Sequence, residues 1–239
     1  MNQFLEKPLE IGEIHVIPFS LDTPPVAHDD LATVLSEEER GVAGRFRFEQ
    51  DRKRFEASRG MRRYVLGSYL ERAPHSLRFE QGRAGKPHLP DAPLAFNTSR
   101  SGGLGVIALA LSDSLSLSQG LGVDIEQVER RSSGLGAVAE QYFTASERTF
   151  LGGADWGRRF FTVWTRKEAL VKAIGGGIDD GLSALETHPN ALYGTTVAEV
   201  GGTALRLMSL DLYGTQAASC TAALAWSGGE ARICVKNRH

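Results

Sequence analysis

Residues 121–126 read Leu121-Gly122-Val123-Asp124-Ile125-Glu126, and residues 164–172 read Trp164-Thr165-Arg166-Lys167-Glu168-Ala169-Leu170-Val171-Lys172. The first stretch is short, rich in branched apolar residues and reads as a strand. Side chains on a strand alternate faces, so Asp124 and Glu126 point the same way and Ile125 points opposite. Two carboxylates on one face of an apolar strand repel each other and are costly to bury without a positive group between them. A hard divalent cation such as Mg²⁺, held through carboxylate oxygens and water, meets that need. A strand end with both acids in solvent is an equally good reading of this motif alone. The second stretch lies in a helical segment spanning about 156–174. Glu168 and Lys172 are four apart there and share a face. By itself that pair also fits an ordinary surface Glu–Lys pair. Beside the Asp-x-Glu strand, Glu168 is a candidate third oxygen ligand or general base, and Lys172 a candidate phosphate contact.

Working outward, the pattern is α+β. Residues 11–19 read as an early strand, and Ser36 with Glu37, Glu38 and Glu39 as a helix N-terminus. Gln50 to Leu70 reads as a long amphipathic helix ended by Pro74. Short strands are predicted over 77–80 and 93–97, with Gly82-Arg83-Ala84-Gly85-Lys86-Pro87 as a glycine-punctuated loop between them. Residues 106–111 form a compact apolar strand, and the serine-rich 112–119 a linker. One helix is predicted over 136–151. The helix over 156–174 is ended by Gly175-Gly176-Gly177. Strands follow within 192–200, 204–213, 220–226 and 231–235. Strand, helices and strands thus occur twice, which divides the chain at 117/118. The first half is then 1–117 and the second 118–239, which holds the Asp124/Glu126 strand and the Glu168/Lys172 helix.

Phe96-Asn97-Thr98-Ser99-Arg100-Ser101 places an amide, hydroxyls and a guanidinium in one short run, a set suited to an anion, although an ordinary polar turn has the same composition. Lys86 adds a cation nearby in sequence. Arginines crowd 40–63 with acids interspersed, the pattern of a solvated helix. The formal net charge is −2, so no basic field suggests nucleic acid, and this argues against a metal-dependent nuclease. Cys220 and Cys234 make no disulfide framework and no metal-ligand spacing; they read as buried thiols in a reducing compartment. The first residues show no basic region followed by a sustained apolar run, and no stretch is apolar enough to span a membrane. A cytoplasmic location is expected.

In order, these motifs resemble the Sfp-type phosphopantetheinyl transferases, whose pattern is Gly-x-Asp-x-Glu followed by Trp-x-x-Lys-Glu-x-x-x-Lys. Upstream, Arg45-Phe46 with the arginine-rich helix, Gly85-Lys86-Pro87 and Phe96-Asn97-x-Ser99 also match, so the resemblance spans about residues 36–178. It implies two similar α/β halves in a pseudo-two-fold arrangement, with the active site in the cleft between them. It implies coenzyme A as donor and an apo acyl or peptidyl carrier protein as acceptor, with the enzyme a monomer. Asp124, Glu126 and Glu168 match the Mg²⁺ ligands. Glu168 also matches the base that deprotonates the attacking serine, and Lys172 the contact to the diphosphate. Lys86, Asn97 and Ser99 match coenzyme A contacts, with Arg83 in the same loop, and Glu147 matches a further acidic position. Two positions depart. Arg100 stands where the family usually has the histidine that binds the 3′-phosphate, keeping the charge and adding donors. Val42 stands where a cation is often found, flanked by Arg40 and Arg45. The rival reading, a coenzyme A or nucleotide binder without transfer activity, leaves Glu168 without a purpose.

Overall fold

The computed structural model of the chain describes residues 8–116, 120–128, 134–153, 155–176, 181–191, 194–212 and 220–236. The elements in chain order are β1 Glu13–Ser20, α1 His28–Thr33, α2 Glu37–Ala43, α3 Glu49–Leu70, β2 Glu80–Gln81, β3 Pro87–His88, β4 Leu94–Ser101 and β5 Leu104–Leu111. There follow β6 Leu121–Gln127, α4 Leu135–Tyr142, α5 Ala145–Phe150, α6 Trp156–Ala173, β7 Thr196–Val200, β8 Thr203–Leu210, β9 Cys220–Ser227 and β10 Arg232–Val235. The expected α+β class is what forms.

Two four-stranded sheets, ordered β10-β1-β5-β4 and β6-β9-β8-β7, form the body. Period-two alternation gives each sheet two apolar faces. On the first sheet, Ile17, Phe19, Phe96, Ile107 and Leu109 pack against Ala57, Met61 and Val65 of α3. On the second, Leu205, Leu207, Ala223 and Ala225 pack against Ala169, Leu170 and Ala173 of α6. The opposite faces meet each other: Ile14, Val16, Val106 and Ala108 share one buried cluster with Val123, Ile125, Leu224 and Trp226. The layers therefore run helix, sheet, sheet, helix. Each fully buried aliphatic side chain in them contributes roughly 1.5–3 kcal/mol.

Several local expectations are met in detail. Ser36 caps α2 in a capping box with Glu39, each side chain satisfying the other's orphan N–H. Helix α6 ends as its glycines suggested, with Gly175 at φ +66° and the Gly176 N–H bonded to the Val171 carbonyl. Gly177 lies outside the described residues, as do 117–119 of the expected linker, 192–193 and 213.

Other expectations need correction. The helix expected over 136–151 is two helices, because Thr144 leaves the helical path and caps α5 in a second capping box, with Glu147. Helix α3 stops at Leu70, on Glu71 in the left-handed conformation, before Pro74 is reached. Of the strand expected over 77–80, only Glu80 is in β2. Leu77 is buried, and Phe79 meets Phe96 edge-on with ring centres 5.7 Å apart. The last strand, β10, pairs in parallel with β1 in the first sheet, so the chain's end crosses the division at 117/118.

Candidate active site

Strands β4 and β6 are the neighbouring edges of the two sheets, and the site lies along them. The even residues of β6 face α6. Gly122 is there because nothing larger fits: a Cβ would sit 2.0 Å from the Ala169 carbonyl oxygen and 2.5 Å from the Ala173 nitrogen. That close approach lets Lys172 reach Asp124. Asp124 is 2% exposed, and its Oδ1 accepts from Lys172 Nζ at 2.5 Å and from the Ser99 hydroxyl at 2.7 Å. Lys172 Nζ also donates to Ser99 Oγ at 3.1 Å.

The odd residues of β4 stitch the edges together. Asn97 Oδ1 accepts the Val123 N–H at 2.9 Å. The Ser101 hydroxyl donates to Glu126 Oε2 at 2.6 Å and accepts the Gln127 N–H at 3.1 Å. Sequence reading assigned Ser101 no role of its own. The signal was present, since Ser99-x-Ser101 has the same period as Asp124-x-Glu126.

Two oxygens are left over. Asp124 Oδ2 and Glu168 Oε1 are buried with no hydrogen-bond partner among the described residues. An unsatisfied buried acceptor costs about 1–3 kcal/mol, more when charged. Burial pushes the Glu168 carboxyl up from the ordinary carboxylate range. Repulsion from Asp124 adds to this, Lys172 opposes it, and Glu126 adds a little more. Three carboxylates thus face a single ammonium, and orphaned oxygens on two of them fit a hard cation.

The other predicted residues fall as follows. Lys86 turns its ammonium inward, onto the carbonyls of Leu121 and Lys172, each at 2.8 Å, and so ties the 82–87 loop to β6 and α6. Burial lowers its pKa to about 7. Arg100 is exposed and sits on the other face of β4 from Ser99, the face that α3 covers. The Arg83 side chain lies outside the described residues. Glu147 is not part of this cluster. It is fully buried with Lys167, 2.9 Å away, and also accepts from the Thr187 N–H and hydroxyl and the Thr144 N–H. Glu13, His15 and Cys234 form a separate group with ligand atoms within 4.8 Å of one another. There Tyr69 bonds His15 at 2.7 Å and Arg232 pairs with Glu13.

Two cavities adjoin the site. One of about 240 Å³ is lined by Lys86, Asn97, Glu168, Val171 and Lys172. One of about 950 Å³ is walled by Glu39, Arg59, Arg62, Arg63 and Phe79. Gly85, Pro87 and Thr98 line both, so the two form one trench from the carboxylates to α3.

An acid-and-lysine cluster at the end of a trench with an arginine wall fits a phosphate-bearing ligand, and comparison with known proteins gives the chain's family. The profile of the 4′-phosphopantetheinyl transferase superfamily matches residues 120–225, and that of the 4′-phosphopantetheinyl transferase N-terminal region matches residues 25–112. The chain is 34% identical over 223 residues to the 4′-phosphopantetheinyl transferase HetI of Nostoc sp., covering 90% of this chain and 88% of that protein. It is 31% identical over 160 residues to psf-1 of Bacillus pumilus, covering 65% and 64%. It is 29% identical over 148 residues to Sfp of Bacillus subtilis, covering 60% and 62%. The chain belongs to the 4′-phosphopantetheinyl transferase superfamily and is a transferase of the phosphopantetheine group.

Proposed function

We propose that the chain moves the phosphopantetheine arm of coenzyme A to a serine of an apo acyl or peptidyl carrier protein, releasing 3′,5′-ADP, with Mg²⁺ held by Asp124, Glu126 and Glu168. The observation that carries this reading is the pair of orphaned oxygens, Asp124 Oδ2 and Glu168 Oε1, beside Lys172 at the end of the trench. Bound there, Mg²⁺ supplies charge neutralisation on the donor's diphosphate.

The chain's own residues account for the rest. The serine oxygen forms a bond to the β-phosphorus of coenzyme A, and the bond from that phosphorus to the bridging oxygen of the diphosphate breaks. Glu168 takes the serine proton. Its burial raises its basicity toward the working pH, where a general base is most effective. Lys172, already bonded to Ser99 and Asp124, presents its charge to the diphosphate. Asn97 and Lys86 position the site through backbone groups, and Arg83 and Arg100 complete the set of donor-binding residues.

Residues 1–117 and 118–239 form two halves in a pseudo-two-fold arrangement, with β10 returned to the first. The enzyme works as a monomer in the cytoplasm, on partners that are neither nucleic acid nor membrane. The formal charge of −2 gives no basic field for nucleic acid, and among the described residues no helix is long and apolar enough to cross a membrane.

The test is intact-mass measurement of several apo acyl and peptidyl carriers incubated with the chain, coenzyme A and Mg²⁺. A gain of one phosphopantetheine arm is expected. No gain on any carrier removes the proposal.

A further inference from the structure

Strand β6 carries two of the three carboxylates, and among the described residues one of its edges pairs with no other strand. The Ser227 N–H bonds the Gly120 carbonyl. The even residues of β6 therefore exchange ladder bonds with β9, and the odd ones turn their N–H and C=O groups the other way, toward β4. Strand β4 belongs to the other sheet, so side chains reach across in place of a ladder. Lys86 donates to the Leu121 carbonyl, Asn97 accepts the Val123 N–H, and Ser101 accepts the Gln127 N–H. Backbone groups shielded from water need such partners.

Ser101 does more than the other two, because it also donates to Glu126 Oε2 at 2.6 Å. A hydroxyl has a single hydrogen. Since Ser101 Oγ takes the Gln127 N–H at 3.1 Å, that hydrogen is committed to the carboxylate, and a bond to an ionised acceptor is short and strong. The backbone fixes where the hydroxyl stands. Ser101 is the last residue of β4, opposite Leu104 of β5, and Gly102 turns the chain between the two strands at φ +54°. Ser99, two residues earlier on the same face, treats Asp124 alike. It donates to Oδ1 at 2.7 Å and accepts from Lys172 at 3.1 Å. Each serine thus fixes one oxygen of one carboxylate. A Ser101 contact to an anion would need the hydrogen already spent on Glu126, and the carboxylate beside it would repel the anion.

We infer that Ser101 is a positioning residue for Glu126, which it holds in the orientation that receives the divalent cation, and that it is not a donor contact. This rests on the metal reading above, in which Asp124, Glu126 and Glu168 hold Mg²⁺. Ser101 acts on metal affinity directly and on turnover only through it.

Mn²⁺ titration of the full chain with coenzyme A present, followed by water relaxation, tests this on the wild type, Ser101→Ala, Ser101→Val and Ser101→Thr. Coenzyme A binding is measured separately by calorimetry with a chelator present. In Ser101→Ala and Ser101→Val the Kd for Mn²⁺ is expected to rise by about ten- to a hundredfold, the usual cost of losing a group that orients a metal ligand. Ser101→Thr has the shape of valine and keeps the hydroxyl, so it should recover most of the affinity. The metal-free Kd for coenzyme A should stay at its wild-type value in all three. Unchanged Mn²⁺ affinity in Ser101→Ala, equal losses in Ser101→Val and Ser101→Thr, or a matching loss of metal-free coenzyme A affinity overturns the inference. A wild type that binds no Mn²⁺ overturns it together with the metal reading. Carrier loading by the wild type reports on the transfer reading separately.

Discussion

Helix α6 carries two lysines that meet buried carboxylates, and the two encounters end differently. Lys167 is sealed. Its ammonium holds Glu147 and the carbonyls of Leu182 and Leu185, while both Glu147 oxygens are filled by Thr187 and Thr144. Lys172 is left open on one side. It holds Asp124 Oδ1 and Ser99, yet among the described residues Asp124 Oδ2 and Glu168 Oε1 have no hydrogen-bond partner. Both clusters are written in one motif, Trp164 to Lys172. Complete satisfaction fits a cluster that maintains the fold, and incomplete satisfaction fits the metal site proposed above.

The largest effect expected is at Glu168. Glu168→Gln keeps the shape and removes the proposed base, so turnover should fall by about 10²–10⁴, with thermal stability equal to or above wild type because a buried carboxylate is replaced by a neutral amide. Steady-state carrier loading and a melting curve check both halves of that statement. Lys167→Met should do the reverse. It leaves Glu147 charged and unpaired in the interior, at a cost of roughly 3–5 kcal/mol, or about 10 °C in melting temperature for a chain this size. Activity per folded molecule should hold. If Lys167→Met removed turnover without lowering stability, the two clusters would have been assigned the wrong way round.

Gly122→Ala should fall between the two. The added methyl meets the backbone of α6, which has to move, so a loss of about 1–3 kcal/mol is expected, together with reduced turnover as Lys172 and Glu168 leave register. The smallest effect is a pH dependence at Lys86. Burial lowers its pKa from 10.5 to about 7. Between those values the unfolded chain binds a proton that the folded chain does not, so this group makes stability rise with pH over that window. Below 7 its full penalty applies. Lys86→Met should flatten the rise relative to wild type in denaturant titrations at pH 7 and pH 10. Parallel curves for the two proteins would contradict the assigned burial cost.

Much of this arrangement is local in the sequence and was legible there. The alternation that sets Asp124 beside Glu126, the four-residue step from Glu168 to Lys172, the Ser36 cap and the glycine stop after α6 are all short-range patterns. The break at Thr144 was equally local: Thr144-x-x-Glu147 is a capping box, passed over because the apolar periodicity runs on across it. Other features lay beyond local reading. The pairing of β10 with β1 depends on which apolar edge is free once both sheets have packed. The inward turn of Lys86 depends on carbonyls from β6 and α6, and the commitment of the Ser101 hydroxyl to Glu126 depends on where the Gln127 N–H lies. Each is a question of which partner is already taken, which only the folded chain answers.

On the proposed function, the orphaned oxygens at Lys172 hold a divalent cation and the sealed pair at Lys167 does not. Mn²⁺ in place of Mg²⁺, titrated into the chain with coenzyme A present and followed by its paramagnetic relaxation of water, tests this directly. One site is expected in the wild type, retained in Glu147→Gln and strongly weakened in both Asp124→Asn and Glu168→Gln. Equal Mn²⁺ binding by all four proteins, or loss of the site only in Glu147→Gln, would contradict the account.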